Sequence, residues 1–392
     1  METSHAGGKL YDMSLDGASL RGRRIVVVGA GALGACLSLR LAQAGAETTV
    51  VERKHPGSGT TQASFAWVNA FSKAPRWLYQ LHVDALLAHE RLRAEWDGDW
   101  LDVGGSLHWS SKSSPDEFDR LNRALEAMKK WGARVDELNA DQLKRIEPDL
   151  DIEAIGEQTV YHITRGALVF GMRLAGFAVR ACVREFGAQY RTGQVRRLTQ
   201  QSGRVTGVQL EDGSQCFGDC VIVTAGTESA DLVATAGARL RVVKKPGSLL
   251  VSAPTTANLR RIVMAPDVSL RSDGGGRIVI GSRELSASTP QIAGSADAET
   301  VVAALQRARA WVPALREAGI ETIRHGVRPM PEDGEPIVGP DPDLAGLYHV
   351  AAHNAVTLAP LLAELVVGDM TGFSSEALRH FRPDRFASST TG

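Results

Sequence analysis

The sequence predicts an α/β fold made of two domains whose segments alternate along the chain. Three observations predict it: a strand–helix–strand unit near the start, alternating helix and strand periodicities through the middle, and a strand-rich stretch in the third quarter. At about 150 residues per domain, a chain of 392 residues can form two or three hydrophobic cores.

The charge balance and composition exclude several classes of protein. The formal net charge is −1, so the chain has no overall field that would gather nucleic acid or an anionic membrane. Hydrophobic residues at 43% and charged residues at 23% exclude a disordered or fibrous chain. The segment 1–24 contains no apolar run typical of a secretory signal, and no stretch predicts an integral membrane segment. We therefore expect a cytoplasmic protein.

The first structural unit carries a recognisable glycine pattern. The run 24–29 predicts a strand buried on both faces, 33–44 a helix, and 48–52 a second strand. Between the first strand and the helix lies the GxGxxG pattern Gly29-Ala30-Gly31-Ala32-Leu33-Gly34. Its glycines permit a tight turn, close approach of backbone to a pyrophosphate, and packing of helix on strand. Glu52 ends the second strand, where a carboxylate accepts hydrogen bonds from a ribose. The unit is predicted to be a Rossmann-like dinucleotide-binding unit.

The remaining elements alternate in type. Helical spacing predicts helices at 77–96, 118–131, 166–187, 298–311 and 358–367. Alternating and β-branched runs predict strands at 101–110, 188–198, 204–210, 219–224, 241–251, 261–270, 277–281 and 347–351. A loop rich in proline, glycine and aspartate is expected at 328–343.

The segment 57–67 follows the second strand and contains glycines and small hydroxylated residues. Such a loop suits a second phosphate and a flat ring, although an ordinary surface loop fits this composition equally well. The glycine pattern alone does not separate NAD from FAD, because both contain an ADP half. No metal site is expected: His82 and His89 share a helix face without cysteine or carboxylate partners, and the four cysteines form no CxxC pair.

Several motifs occur in a fixed order between residues 24 and 368. They are the glycine pattern with Glu52, the loop 59–69, Val221-Ile222-Val223-Thr224-Ala225-Gly226, Gly326-Val327-Arg328-Pro329 with Pro336-Ile337-Val338-Gly339, and the stretch 353–360. This arrangement resembles the D-amino acid oxidase superfamily of FAD-dependent amine oxidoreductases, which includes glycine oxidase, sarcosine oxidase and D-amino acid dehydrogenases. The resemblance implies a Rossmann-like FAD-binding domain with an interleaved antiparallel-sheet substrate domain.

The resemblance also implies domain boundaries and a cofactor site. We expect the FAD-binding domain at 22–76, 146–239 and 325–372, the substrate domain at 77–145 and 240–324, and flexible tails at 1–21 and 388–392. FAD is expected to bind non-covalently, since 61–67 contains neither histidine nor cysteine. The residues expected to contact it are Gly29, Ala30, Gly31, Leu33, Gly34, Glu52, Arg53, Thr60, Thr61, Ser64, Ala66, Trp67, Val195, Ala225, Gly226, Arg328, Asn354, Ala355, Val356, Thr357 and Leu358. Thr357 and Leu358 are expected to open the last helix.

Two residues are expected at the reacting end of the site. Arg328 matches the arginine that holds the substrate carboxylate in the family, and a guanidinium suits a carboxylate because both are planar and bidentate. His353 is expected to border the pocket, as is His325, although a structural role fits each nearly as well. The implied reaction is oxidation of the C–N bond of an amino acid or N-substituted amino acid, by hydride transfer to flavin followed by hydrolysis of the imine. Oxygen or a quinone would reoxidise the flavin.

Two other functions fit the dinucleotide pattern. A nicotinamide-dependent dehydrogenase would use the same glycine pattern without a bound yellow chromophore. A non-catalytic FAD-binding sensor or partner subunit would bind the cofactor, but no amine would reduce it.

Overall fold

A computed structural model describes residues 19–111, 114–289, 297–373 and 376–389. The strands are β1 (Arg24–Val28), β2 (Glu47–Glu52), β3 (Trp67–Val68), β4 (Leu101–Asp102), β5 (Ser106–His108), β6 (Val135–Leu138), β7 (Val160–Ile163), β8 (Ala167–Val169), β9 (Gln189–Thr192), β10 (Val195–Gln201), β11 (Arg204–Leu210), β12 (Gln215–Phe217), β13 (Cys220–Val223), β14 (Val242–Ser252), β15 (Ile262–Ala265), β16 (Val268–Gly274), β17 (Arg277–Gly281), β18 (Ile320–Pro331), β19 (Ile337–Pro340) and β20 (Leu347–Ala351).

The helices lie between these strands. They are α1 (Ala32–Gln43), α2 (Arg76–Trp96), α3 (Pro115–Lys130), α4 (Ala140–Ile146), α5 (Ile152–Ile155), α6 (Gly171–Phe186), α7 (Ser229–Ala234), α8 (Arg283–Ala287), α9 (Ala298–Trp311), α10 (Ala355–Met370) and α11 (Glu376–Arg379). Short 3₁₀ turns follow at Gly226–Glu228, Pro313–Leu315 and Pro383–Ser389.

The first sheet has six strands in the order β19-β20-β13-β1-β2-β9. All neighbours are parallel except β19, which pairs antiparallel with β20 at one edge. In β1, Ile25, Val26 and Val27 are fully buried, because helices cover one face and the three-stranded sheet β10-β11-β12 packs on the other. The predicted Rossmann-like unit is confirmed.

The helical layer on the first sheet is centred on α1. This helix packs against α6 and α10, so both its sides are covered and even Arg40 is buried. The α2 helix packs against α10 in the same layer. The helical layer therefore fixes the first turns of α1 and α10 relative to each other.

The second sheet has eight strands in the order β18-β14-β17-β16-β15-β5-β7-β6. Every pair is antiparallel except β15 with β5. Its longest ladder joins β14 to β18 over eleven residue pairs. A separate core beneath it includes Leu250, Ile280 and Leu315.

The division into two domains stays a prediction, but three segments pack differently from what its boundaries imply. The predicted first domain includes 146–163, whereas β7 within this segment pairs in the eight-stranded sheet. The α2 helix was assigned to the second domain, yet its apolar side packs in the first core. Leu20, placed in a predicted tail, is 1% exposed in that core. The tail segments 1–18 and 390–392 lie outside the described residues.

Two element boundaries also differ from expectation near the site. The helix expected at 166–187 begins at Gly171, because Ala167–Val169 pairs as a strand with β3 and β4. The loop expected at 328–343 begins later, because β18 continues to Pro331. Arg328 is therefore on a strand.

Candidate active site

One cavity of about 770 Å³ lies where the two sheets meet. Its walls include residues at the carboxyl ends of β1, β2 and β13, which is where ligands bind in open parallel sheets. The opposite wall includes residues of β14 and β18 from the second sheet. The start of α10 also lines the cavity.

The glycine turn after β1 needs its glycines for close approach. Gly29 has φ of +99°, and a Cβ there would lie 2.7 Å from the carbonyl oxygen of Thr224. A Cβ on Gly34 would overlap the carbonyl oxygen of Gly29 and the hydroxyl of Thr224. Gly31 faces Thr61 Oγ1, which a Cβ would meet at 3.3 Å. The turn thus brings backbone N–H groups to the cavity at the start of α1.

Glu52 is held at the end of β2 by backbone donors. Its side chain is buried; Oε2 accepts a hydrogen bond from the Ala30 N–H at 2.9 Å and Oε1 accepts one from the Lys54 N–H at 3.0 Å. These bonds fix the carboxylate against the glycine turn while the residue still lines the cavity. Arg53, which is exposed, lines the cavity beside it.

The segment 57–67 joins the two sheets through its hydroxyl groups. Thr61 Oγ1 accepts a hydrogen bond from the Ala32 N–H at 3.0 Å, and Thr60 Oγ1 donates to the Val327 carbonyl at 2.6 Å. Ser64 Oγ accepts from the Ala66 N–H at 3.0 Å. The segment is therefore an ordered wall of the cavity, and the alternative of an ordinary surface loop is wrong.

Trp67 ends this segment with its ring near the second sheet. Its ring centroid lies 5.5 Å from that of His108, and its buried Nε1 has no hydrogen-bond partner among the described residues. The Trp67 carbonyl accepts a hydrogen bond from Thr357 Oγ1 at 3.3 Å. This bond joins the segment to the start of α10.

Two histidines of α2 hold the start of α10. Pro360 has no N–H and cannot bond to the Val356 carbonyl in the helix. His89 Nε2 donates to that carbonyl at 2.9 Å instead, and burial lowers the pKa of His89 to about 4. His82 Nδ1 donates to the Leu78 carbonyl, which leaves Nε2 to accept a hydrogen bond from the Asn354 side chain at 3.2 Å. Both imidazoles are neutral at pH 7.

The first turn of α10 differs from the expectation. The helix begins at Ala355 rather than at Thr357, so the free N–H groups belong to Ala355, Val356 and Thr357. The Leu358 N–H donates to the Asn354 carbonyl at 2.9 Å, and Leu358 is buried away from the cavity. The prediction that Thr357 and Leu358 open the last helix is therefore wrong.

Arg328 lines the cavity from β18, not from a loop. Its Nη2 donates to the Pro246 carbonyl at 3.1 Å and its Nε lies 3.4 Å from the Lys245 carbonyl. No carboxylate of the described residues forms an ion pair with it, and its half-buried position lowers its pKa by desolvation. The ladder with β14, rather than a rigid loop, fixes its position.

His353 lines the cavity just before α10. Burial, and then the positive charges of Arg328, Lys73 and Lys245, lower its pKa to about 4, so its imidazole is neutral at pH 7. His325 is not among the cavity residues; it is exposed and bonds through Nδ1 to Ser248 Oγ at 2.8 Å.

The cavity brings together most of the residues that the sequence singled out. Ala30, Gly34, Leu358 and His325 do not line it, and the first two act from behind its wall, as described above. Val195, Ala225 and Gly226 line it at the edge of the first sheet. Sequence reasoning missed the wall residues Gln194, Glu211, Gly247, Ser248, Leu249 and Ser286. Gly247, Ser248 and Leu249 belong to β14, and they could have been identified only from the register of β14 with β18.

The residues present fit a dinucleotide. Backbone N–H groups at two helix starts suit phosphate and ring oxygens, and the Glu52 carboxylate suits ribose hydroxyls. No group of three or more metal-ligating side chains is found in the described parts of the chain. Nor does any described helix combine the length and apolar character needed to cross a membrane.

Comparison with known proteins agrees with this geometry. The family model of FAD dependent oxidoreductases matches residues 24–368. The chain is 31% identical to the uncharacterized oxidoreductase YurR of Bacillus subtilis, over 88% of this chain and 95% of that protein. It is 28% identical to a glycine oxidase of Pseudomonas aeruginosa, over 89% and 95% of the two chains.

A solved structure extends the likeness to the whole fold. The crystal structure of iminodiacetate oxidase from Chelativorans sp. BNC1 is 26% identical, with a TM-score of 0.76, and the match covers 92% of this chain and 99% of that one. Because the matching family consists of FAD-dependent oxidoreductases, the cofactor is FAD rather than a nicotinamide. For the same reason the protein is an enzyme rather than a non-catalytic subunit. The chain belongs to the family of FAD-dependent oxidoreductases.

Proposed function

We propose that the protein oxidises the C–N bond of an amino acid or of an N-substituted amino acid. The observation that carries this proposal is Arg328, a half-buried guanidinium in the cavity wall that no described carboxylate neutralises. Burying a cation without a partner is unfavourable, so such a group is suited to an anionic ligand. The glycine oxidase and iminodiacetate oxidase relatives act on small amino acids or related acids, by their names.

FAD would be held by the predicted residues that line the cavity. The N–H groups in the first turn of α1 would face the pyrophosphate, Glu52 would accept from the ribose, and Val195 and Gly226 would border the adenosine half. The free N–H groups of Ala355, Val356 and Thr357 would stabilise negative charge at the ring end. Binding would be non-covalent, since the wall segment 61–67 contains neither the histidine nor the cysteine that covalent attachment needs.

The protein's own residues then position the substrate. When bound, FAD supplies a two-electron acceptor for the hydride of the substrate α-carbon. Arg328 binds the carboxylate and so fixes where the α-carbon lies. The substrate ammonium would first lose one proton to solvent, so that the amine reacts as the neutral base. Loss of the α-hydride leaves an iminium, which would release an N–H proton to solvent to give the imine. The neutral His353 adds no positive charge to the site. Water hydrolyses the imine product outside the protein.

We also propose a cytoplasmic location and reoxidation by oxygen or a quinone. All four cysteines, Cys36, Cys182, Cys216 and Cys220, are buried free thiols, which agrees with a reducing compartment.

An anaerobic reduction experiment tests the function. The visible spectrum of the purified protein is recorded without oxygen, and glycine, sarcosine, proline and D-amino acids are added in turn. Bleaching of the flavin by one class is expected, and air or a quinone then identifies the acceptor. A bound flavin that none of these compounds bleaches would contradict the proposal.

A further inference from the structure

Two asparagines line the cavity, and they differ in what their carboxamide groups bind. Asn69 donates through Nδ2 to the Trp67 carbonyl at 3.0 Å and accepts through Oδ1 from the Phe71 N–H at 2.9 Å. The protein therefore uses both ends of this carboxamide. Asn354 has one such bond within the described chain, from Nδ2 to His82 Nε2 at 3.2 Å. Its Oδ1 atom is left without a donor.

His82 fixes the orientation of the Asn354 carboxamide. The Leu78 carbonyl can only accept a hydrogen bond, so His82 Nδ1, 2.9 Å away, carries the ring proton. Burial lowers the pKa of His82 to about 4, so the ring is neutral at pH 7 and Nε2 can only accept. The Asn354 atom beside Nε2 is therefore the amide nitrogen, and Oδ1 points away from His82.

The α10 helix does not use this oxygen either. Asn354 directly precedes the helix, where an asparagine side chain usually accepts from the N–H of the second or third helical residue. No such bond is formed in α10. Oδ1 has no partner in the described chain, yet it is not buried, so it is open to the cavity that Asn354 lines. The wall thus presents one acceptor directly before the free N–H donors of residues 355–357.

This order of groups complements the pyrimidine end of a flavin. That end carries one N–H group, N3–H, between two carbonyl groups, so its edge alternates acceptor, donor and acceptor. The free N–H groups of α10 suit a carbonyl, and a neighbouring oxygen acceptor suits N3–H. A ring N–H enclosed in the cavity without an acceptor would lose the hydrogen bond that it makes in water, which is unfavourable.

We propose that Asn354 Oδ1 accepts the hydrogen bond of flavin N3–H and that His82 is the positioning residue that turns Oδ1 toward it. The inference rests on the placement of the flavin ring beside α10 in the proposed function. It assigns an atom to the contact expected of Asn354 and gives His82 a role in cofactor binding.

Binding of a modified flavin tests the role of Asn354. The protein is freed of flavin and titrated with FAD and with 3-methyl-FAD, in which a methyl group replaces the N3 proton. The wild type is expected to bind FAD about tenfold more tightly. Asn354→Ala should bring the two dissociation constants close together, whereas the matched control Asn69→Ala should keep the wild-type ratio. A wild-type ratio near one, or an equal fall of the ratio in the control, would overturn the inference.

The same ratio tests His82. His82→Leu retains Asn354 but removes the acceptor that orients it, so the preference for FAD should fall toward that of Asn354→Ala. His82→Gln should restore most of the preference, because the glutamine oxygen can accept from Asn354 Nδ2. A purely structural role for His82 would weaken the binding of both flavins equally. An unchanged ratio in His82→Leu would therefore overturn the positioning role.

Alkaline titration of the FAD-loaded protein gives a second measurement. A hydrogen bond to N3–H stabilises its neutral form, so the pKa of the bound flavin N3–H should be lower in Asn354→Ala than in the wild type. In Asn69→Ala this pKa should equal that of the wild type. The same pKa in all three proteins would contradict the proposed bond.

Neither measurement requires an amine to be oxidised, so the inference and the proposed function can fail separately. If amino acids bleach the flavin while the binding ratio and the N3–H pKa are the same in Asn354→Ala as in the wild type, only the inference is overturned. If both quantities change as expected and no amino acid bleaches the flavin, only the proposed function is overturned.

Discussion

Two groups of charges lie on one face of β18, and they differ in how the protein neutralises them. Arg324 and Arg328 are four residues apart on the strand, so both project to the same side. Arg324 pairs with Asp273, which also pairs with the buried Arg271 at 2.8 Å. Within the described part of the chain, the Arg328 guanidinium contacts the backbone carbonyls of Lys245 and Pro246 and no carboxylate.

The difference separates a structural role from a binding role. The Asp273 carboxylate fixes Arg271, whose Nη2 lies 3.3 Å from the Ser64 carbonyl, so this ion-paired group holds the 57–67 segment against the second sheet. The Arg328 guanidinium has no described carboxylate partner and can therefore bind an anionic ligand. Stability should therefore depend on the first group and substrate binding on the second.

The largest effect is expected at Arg328. Arg328→Leu should raise KM for the carboxylate substrate by about hundredfold, or roughly 3 kcal/mol, because a desolvated charge-assisted pair is lost. The melting temperature should change little, since no side chain depends on this guanidinium. Steady-state kinetics with the amino acid and with its decarboxylated amine measure the effect. An equal rise in KM for both compounds would show that Arg328 does not bind the substrate carboxylate.

Breaking the ion-paired group of Arg271, Asp273 and Arg324 should change stability rather than KM. Asp273→Asn leaves the buried Arg271 without its counter-charge and should lower the free energy of unfolding by about 3 kcal/mol. KM should stay within a few fold of wild type. Denaturant unfolding measures the change, with Asp99→Asn as the control, because the Arg173–Asp99 pair is exposed and should contribute less than about 1 kcal/mol. A large rise in KM with unchanged stability in Asp273→Asn would show that Asp273 acts in substrate binding and not in stability.

The α10 helix sharpens the comparison because there stability and cofactor binding should change together. His89→Ala removes the donor to the Val356 carbonyl and leaves a buried cavity, so the free energy of unfolding should fall by about 2–4 kcal/mol. FAD should also dissociate more readily, because the first turn of α10 loses its support. His89→Gln, which retains an N–H donor, should restore part of both losses. Reduced stability with unchanged FAD affinity would separate α10 from the cofactor.

The smallest expected effect is a difference between the buried histidines and Asp273 in how their contributions to stability depend on pH. The pKa of both His353 and His89 is lowered to about 4 from an ordinary value of 6.5, so the unfolded chain binds more protons between these values. The contribution of these two histidines to stability should therefore be constant above about pH 6.5 and fall as the pH falls toward 4. Burial raises the pKa of Glu147 from 4.5 to about 7, which opposes this decline between those two values. Burial raises the pKa of Asp273, but hydrogen bonds from Arg324 and the charge of Arg271 outweigh it and lower that pKa. The Asp273 contribution is present above its ordinary pKa of 3.8 and is lost below it.

Unfolding at several pH values separates these contributions. His353→Gln and His89→Gln should each flatten the decline between pH 6.5 and 4, to which His82 and His108 also contribute. Asp273→Asn should leave the slope in that range unchanged. A decline that neither histidine variant alters would show that these side chains do not remain neutral in the native protein.

Local patterns were sufficient for the cofactor half of the fold. A buried strand, three glycines and an acid at the next strand end are all set by short-range sterics and spacing, so the sequence predicted the turn at Gly29 and the position of Glu52. The family resemblance placed Arg328 and His353 at the site. The described structure then brought these residues to one cavity.

Long-range pairing accounts for what sequence reasoning missed. The contribution of Gly247 and Ser248 depends on the register of β14 with β18, which no local pattern sets. The start of α10 was predicted too late, at Thr357 rather than at Ala355. The Val356 carbonyl, to which Pro360 cannot donate, accepts from His89 of the distant α2 helix, a contact that no local pattern shows.

The most direct test of the central claim, that Arg328 is left free to bind a carboxylate, is ligand binding without turnover. The FAD-loaded wild type, Arg328→Leu and Arg324→Leu are titrated with glycolate, and the flavin spectrum is followed. Saturable binding is predicted for the wild type and for Arg324→Leu, with loss of binding only in Arg328→Leu. Undiminished binding in Arg328→Leu would contradict the account.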